Sequence, residues 1–334
     1  MTARSAPIAR LRLVAGLLVV GAVAAGCSDG GAGERDAAGS STTATHAPEA
    51  VESAARPSEG CGTEPEVTAT DEAPGDVALT FDHDGTAREY RLGVPEDYDP
   101  DEPAPLVMSL HGHGNTAATQ SVYTDMPAKA AARGFLTLTP DAGDGAWDMS
   151  QTGPDDDFLV ALLDHVTAGY CVDLDRVHLA GLSLGAWRAA LTACNHPERF
   201  ASIALVTVEL HTGCAKPVVA FHGTADRTVP YGEGADPGVE VTGPNAGLPG
   251  ARDNVARWAE AAGCPGEVRT ERIGDDIELR AYEDCPDGVD VALYTMIGAD
   301  HVWPGSPIDL PGATDTIDAT ELALDWFEDH PLRR

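Results

Sequence analysis

The stretch "DRVHLAGLSLGAWRAALTAC", residues 175–194, constrains the fold more than any other. An apolar, strand-like run ends at Ala180. An alanine-rich, helix-like run begins at Leu184. Between them, Gly181-Leu182-Ser183-Leu184-Gly185 sets one hydroxyl between two glycines. A chain that turns from strand to helix this sharply needs residues without Cβ atoms beside the corner. Gly-x-Ser-x-Gly in that context is the nucleophile-elbow pattern, in which a strained turn lifts a serine above the sheet. The helix that follows aims free N–H groups and its positive end at the same point. The pentapeptide alone is a moderate signal, because it also occurs in ordinary turns. Strand, corner and helix together are a strong one.

The rest of the chain fits such a corner. "VALTF" (77–81) and "REYRLGV" (88–94) flank Asp84-Gly85, a hairpin signal. Then come "PLVMSL" (105–110), "FLTLT" (135–139), "RVHLA" (176–180), "SIALVTV" (202–208), "PVVAF" (217–221) and "VALYTM" (291–296). Bounded apolar runs without polar alternation suit strands covered on both faces. Helical periodicity appears over 156–168, with Phe158, Leu162 and Val166 on one face and Asp155 as the expected N-cap. It appears again over 252–262, ending at Gly263, and over 317–328, ending before Pro331. An antiparallel lead-in followed by alternating strands and helices predicts a single α/β domain. Its central sheet is mostly parallel, with helices on both faces; together with the serine corner this arrangement resembles the α/β-hydrolase fold.

Ahead of the domain the composition changes twice. Arg4, Arg10 and Arg12 precede the apolar stretch Leu13 to Ala25, which is shorter than the roughly 20 residues a membrane span requires. Ala24-Ala25-Gly26-Cys27 follows and resembles a bacterial lipobox. Residues 1–26 therefore read as a lipoprotein signal peptide, Cys27 as the lipidation site, and 27–60 as a disordered tether lacking hydrophobic periodicity. Residues 61–334 form the expected domain. Ordinary secretion with cleavage near Ala24 is the alternative. Either reading places the domain outside the cell, anchored to the membrane through lipid or released.

The cysteines agree with export. Removing Cys27 from the seven leaves Cys61, Cys171, Cys194, Cys214, Cys264 and Cys285, an even set suited to disulfides. No C-x-x-C or paired-histidine spacing suggests zinc. The formal charge is −33, and loss of residues 1–26 takes away three arginines and no acids, leaving −36. So acidic a surface repels nucleic acid and anionic lipid, and does not repel uncharged esters. Solubility alone would also account for it.

A serine alcohol needs a base to take its proton. In this fold the partners follow in the order serine, acid, histidine. His301, in "GADHVWPG" after the last strand, is where a loop returns an imidazole over Ser183. His211 and His222 come too early, and His330 is at the terminus. Asp226, in "HGTADRTVP" after "PVVAF", is the expected acid, holding the imidazole tautomer. "LHGHGN" (110–115) follows "PLVMSL", where such enzymes build half of their oxyanion hole. Gly112 and His113 from this loop and Leu184 after the nucleophile are the expected donors. Trp147, Trp187 and Trp303 are candidates for the substrate pocket, with core packing the equal alternative for Trp147 and Trp303.

"RVHLAGLSLGAW", "ERFASIALV", "PVVAFHGTADRTVPY", "VARWAEAAGC" and "VALYTMIGADHVWPG" resemble the secreted esterases grouped as polyhydroxybutyrate depolymerase-like and feruloyl esterase-like. The resemblance covers roughly 77–326, including "HGHG" and "PDDDFLVALLDHV". It implies a serine carboxylic-ester hydrolase using Ser183, Asp226 and His301, with no cofactor and no metal. Its partner is an ester substrate, whether a small ester, a polyester or a plant polysaccharide ester. It also implies the pairings Cys264–Cys285, Cys194–Cys214 and Cys61–Cys171. The chain departs from the family pattern at Ala186-Trp187, where a second glycine is frequent, and at Gly298-Ala299-Asp300, a loop usually richer in glycine. Both departures bear on which ester is used. A peptidase or acyltransferase on the same scaffold, or a non-catalytic surface-binding lipoprotein, are the rival functions.

Overall fold

The computed structural model describes residues 54–68 and 76–334. The expected signal peptide, Cys27 and most of the expected tether lie outside the described residues. Residues 56–58 already pair with the fold, ahead of the expected domain start at Cys61. Ser58 donates its N–H to the Val172 carbonyl, Pro57 bridges Asp173, and Arg56 binds Asp175.

The hairpin forms as expected. β1 (Val77–His83) and β2 (Thr86–Gly93) pair antiparallel across Asp84 and Gly85, both at positive φ as a two-residue turn requires. The remaining strands are β3 (Ala104–Leu110), β4 (Leu136–Pro140), β5 (Val172–Leu182), β6 (Ile203–Val206), β7 (Val218–Gly223), β8 (Arg269–Ile273), β9 (Ile277–Tyr282) and β10 (Val291–Met296). Among the described residues they form one ten-stranded sheet in the order β1-β2-β4-β3-β5-β6-β7-β10-β9-β8. The six strands from β4 to β10 are parallel, and the edges are antiparallel. β8 and β9 are additions to the strands expected from the sequence.

Helices cover both faces. α1 (Ala117–Thr124), α2 (Met126–Ala131) and α6 (Ala319–Asp329) are separated in the chain from α3 (Pro154–Gly169), α4 (Leu184–Asn195) and α5 (Ala251–Ala261). Alternate strand residues sort between two cores. Leu106, Met108, Leu179 and Leu205 meet α3, α4 and α5 through Phe158, Ala189 and Trp258. Val107, Ala180, Ala204 and Val206 meet α2 and α6 through Met126, Ala130 and Phe327. Each fully buried leucine of these cores is worth about 2–5 kcal/mol against alanine. One expectation fails here. Asp155 does not cap α3; Gly153 holds that position and Pro154 opens the helix. Asp155 instead accepts from Arg88 and from the Asp148 N–H, tying α3 to β2 and to the loop after β4.

The connection from β3 runs to β4 on one side, and the next strand, β5, lies on the other side of β3. Crossovers therefore diverge between β3 and β5. Such a switch point leaves a crevice at the carboxyl ends of the strands. The loop after β3 and the corner after β5 both stand there.

Candidate active site

Ser183 joins β5 to α4 at φ 55° and ψ −118°. Its N–H donates to the Val206 carbonyl at 2.9 Å, so the sheet's own hydrogen bonding continues into the corner. A methyl at Gly181 would stand 2.5 Å from the Ala186 nitrogen. One at Gly185 would stand 2.2 Å from the Leu110 carbonyl oxygen. Both glycines are therefore required by close approach: the first by helix against strand, the second by α4 against the end of β3. Leu184 is the first residue of α4, and its N–H has no carbonyl within the helix to meet.

The loop after β3 lies against this corner. A Cβ on Gly112 would be 3.5 Å from the Ser183 Cβ. Gly114 donates its N–H to the Gly145 carbonyl, and Asn115 donates to that of Gly112. His113 is exposed. His111 is buried and braces the loop from behind. Its Nδ1 lies 2.8 Å from the Gly112 carbonyl, and its Nε2 accepts from the Ala142 N–H at 3.0 Å. An accepting Nε2 means a neutral ring. Burial agrees, pulling the imidazole below its ordinary value, and the 3.5 Å approach of Asp141 does not amount to an ion pair.

Asp226 follows β7 and is fully buried. Oδ1 accepts the N–H groups of Thr228 and Val229 at 2.7 and 2.9 Å. Oδ2 accepts from His301 Nδ1 at 2.7 Å. Burial alone would raise this carboxyl. Hydrogen bonds from His222 and His301, and their charge, instead hold it far below the ordinary carboxylate range. The Gly/Pro-rich stretch 231–250 is folded onto the same turn, with Asp236 bonded to Thr224 and Asn245 to the Thr228 carbonyl. With Nδ1 committed to Asp226, the free end of His301 is Nε2. It lies 3.4 Å from the Thr207 hydroxyl at the end of β6, the strand beside Ser183.

Thr207 gives no signal in the sequence, yet it is buried at φ 66°. A β-branched residue there is a true outlier, and such strain clusters at functional sites. Glu209 and His222 were not expected either. Both are buried, His222 with Nδ1 2.8 Å from Glu209 and Nε2 3.2 Å from Asp226. A histidine and a glutamate four and seventeen residues before the acid have no diagnostic spacing.

The tryptophans divide. Trp147 and Trp303 do not line a pocket. Trp147 is 2% exposed and donates its Nε1–H to the His111 carbonyl, backing the loop after β3. Trp303 is 1% exposed and donates to Thr320 inside the core under α6. Each indole finds its hydrogen bond inward, which holds the ring in the core. Trp187, one turn from Ser183, is half-buried and packs against the core from its edge. The six cysteines pair as Cys61–Cys171, Cys194–Cys214 and Cys264–Cys285. Among the described residues no three or more His, Cys, Asp or Glu side chains are grouped to hold a metal ion.

Residues 90–229 match the family described as Esterase PHB depolymerase. Feruloyl esterase B of Piromyces equi is 28% identical over 231 residues, which is 64% of this chain and 42% of that protein's length. The chain thus spans less than half of that relative. Feruloyl esterase C of Emericella nidulans is 26% identical over 65% of this chain and 82% of its own. In three dimensions, an acetyl xylan esterase from Aspergillus awamori superposes with a TM-score of 0.56. It is 15% identical and covers 76% of this chain and 99% of its own, a likeness of fold.

Proposed function

We propose that this chain, a member of the polyhydroxybutyrate depolymerase-like and feruloyl esterase-like α/β-hydrolases, is an exported serine carboxylic-ester hydrolase. The observation that carries the reading is the Asp226–His301 pair, with Nδ1 held at 2.7 Å and Nε2 3.4 Å from Thr207, which follows the strand beside the one that leads to Ser183. Ser183 Oγ attacks the ester carbonyl while His301 Nε2 takes its proton. Asp226 keeps the Nδ1–H tautomer and stabilises the imidazolium. The oxyanion is received by N–H groups of Leu184 and of Gly112 or His113. Each such donor is worth about 3 kcal/mol in the transition state. His301 then protonates the leaving alcohol. Water, deprotonated by the same ring, releases the acid and frees Ser183.

Uncharged polyhydroxybutyrate-type, feruloyl and acetyl esters are the proposed substrates, since they escape repulsion by the acidic surface and their carboxylate products do not. Trp187 is the proposed pocket wall. Residues 1–26 direct export, and lipid on Cys27 holds the domain to the membrane through the segment ahead of Ser53. Palmitate labelling that disappears in Cys27→Ala tests the anchor; labelling that persists contradicts it. For the activity, the parent and Ser183→Ala are compared on p-nitrophenyl acetate, methyl ferulate, acetylated xylan oligomers and hydroxybutyrate oligomers. The expected result is turnover of one class by the parent and a loss of at least about 1,000-fold in the variant. A folded parent that cleaves none of them contradicts the proposal. Added methanol that diverts most acyl groups from water would favour the acyltransferase reading.

A further inference from the structure

Behind Asp226 the site continues inward. His222 is fully buried in β7, and both of its ring nitrogens face acids: Nδ1 meets Glu209 Oε1 at 2.8 Å and Nε2 meets Asp226 Oδ2 at 3.2 Å. The Val229 carbonyl lies 3.4 Å from Nε2. A neutral imidazole has one N–H, so either tautomer would set a bare lone pair against a carboxylate oxygen. Only the doubly protonated ring satisfies both neighbours. Burial opposes that charge, but the Glu209 charge and the hydrogen bonds His222 donates to both acids outweigh it and raise His222 to about 10.

The surroundings close this cluster. The Tyr231 ring stands edge-on to His222 at 5.5 Å, its hydroxyl bonded to Thr295 and to Arg252. Trp258 donates to the Glu209 backbone carbonyl, and His301 lies across Asp226. Asp226 Oδ2 thus receives two imidazoles, one on each side. A charge on either ring weakens the hold of that oxygen on the other.

We propose that Glu209 and His222 are positioning residues of the hydrolase: a buried ion pair that keeps Asp226 an anion and limits how strongly it holds a proton on His301. The inference rests on the esterase reading only for its consequence, since the pair exists in the resting protein. Glu209, His222 and Asp226 together carry one negative charge. His222→Gln leaves two negative charges beside His301. Glu209→Gln combined with His222→Gln restores one.

The test is ¹⁵N NMR of the imidazoles in the full chain, without substrate, from pH 5 to 10. In the parent, both nitrogens of His222 stay protonated past pH 8. In His222→Gln the His301 midpoint rises by roughly one pH unit, and in the double variant it returns to the parent's. In Glu209→Gln, His222 loses its second proton at lower pH than in the parent. A singly protonated His222 at pH 7, which needs no variant to observe, overturns the proposal. So does an unmoved His301 midpoint in a folded His222→Gln protein. The readout separates the two readings. The expected shifts in a protein that cleaves no ester retain the pair and remove the esterase. Turnover with a neutral His222 does the reverse.

Discussion

Ser183 and Thr207 follow adjacent parallel strands at φ values of 55° and 66°, and His301 Nε2 lies 3.4 Å from the Thr207 hydroxyl. Ser183, Asp226 and His301, the proposed nucleophile, acid and base, can be singled out in the sequence because chain order and strand ends restrict each to few positions. Thr207, Glu209 and His222 cannot, because each gains its role from a neighbour distant in the chain. A histidine inside the apolar run "PVVAFHG" reads as core, and only the facing glutamate makes it a cation. Trp147 and Trp303 show the converse: their loop positions are readable, but the direction of an indole is set by where its N–H finds a carbonyl or hydroxyl. The His222 pair has a stability consequence. A histidine raised above its unfolded value of about 6.5 contributes its full stability below that pH and loses it as pH rises through about 10. Glu209→Gln should therefore be less stable than the parent by about 3 kcal/mol near pH 6, with the gap shrinking by pH 10. Urea titrations of both proteins at the two pH values check this, and a gap that widens with pH contradicts it.

At the scale of elements, α4 does more than follow the nucleophile. Arg188, fully buried on α4, donates to the carbonyls of Asp148 and Ser150 and to Asp156 of α3. Burial would raise Asp156, but Thr192, His196 and Asn195 hydrogen bonds and the Arg188 charge bring it below its usual value. The elbow helix is thereby fixed to the loop that carries Trp147. Asp156→Asn leaves Arg188 buried without its counter-ion and should cost about 3–5 kcal/mol in urea unfolding. A cost under about 1 kcal/mol would show that the backbone carbonyls alone suffice. The elements missed in the sequence differ in cause. α1 buries Gln120, Ser121 and Thr124, with Gln120 bonded to Ser109, so its inward face carries no apolar periodicity. β8 is exposed along almost its whole length, and its register is imposed by β9. β9 does alternate, with Ile277, Leu279 and Ala281 inward, and that period-two signal was available.

For the molecule as a whole, the divergence of crossovers at β3 and β5 sets where chemistry can occur, and three disulfides hold its periphery. Cys61–Cys171 joins residues 110 apart and fastens the entry of the domain to the start of β5. Its removal by paired serines should cost roughly 2–5 kcal/mol without altering the site. A loss of turnover at full folding would show that the bridge also shapes the crevice. The α/β class was legible from the alternation of runs. The pairing of residues 57 and 58 with the start of β5 was not, because it uses backbone groups and one serine hydroxyl, which leave no apolar periodicity. The proposed mechanism requires that Ser183 become acylated under His301 control. Rapid mixing of the protein with p-nitrophenyl acetate, followed by acid quench and peptide mass measurement, tests it most directly. The expected result is a nitrophenol burst equal to the enzyme present and one acetyl group on the peptide holding Ser183, both absent in Ser183→Ala. Acetyl on another residue, or a burst that survives in Ser183→Ala, would contradict it.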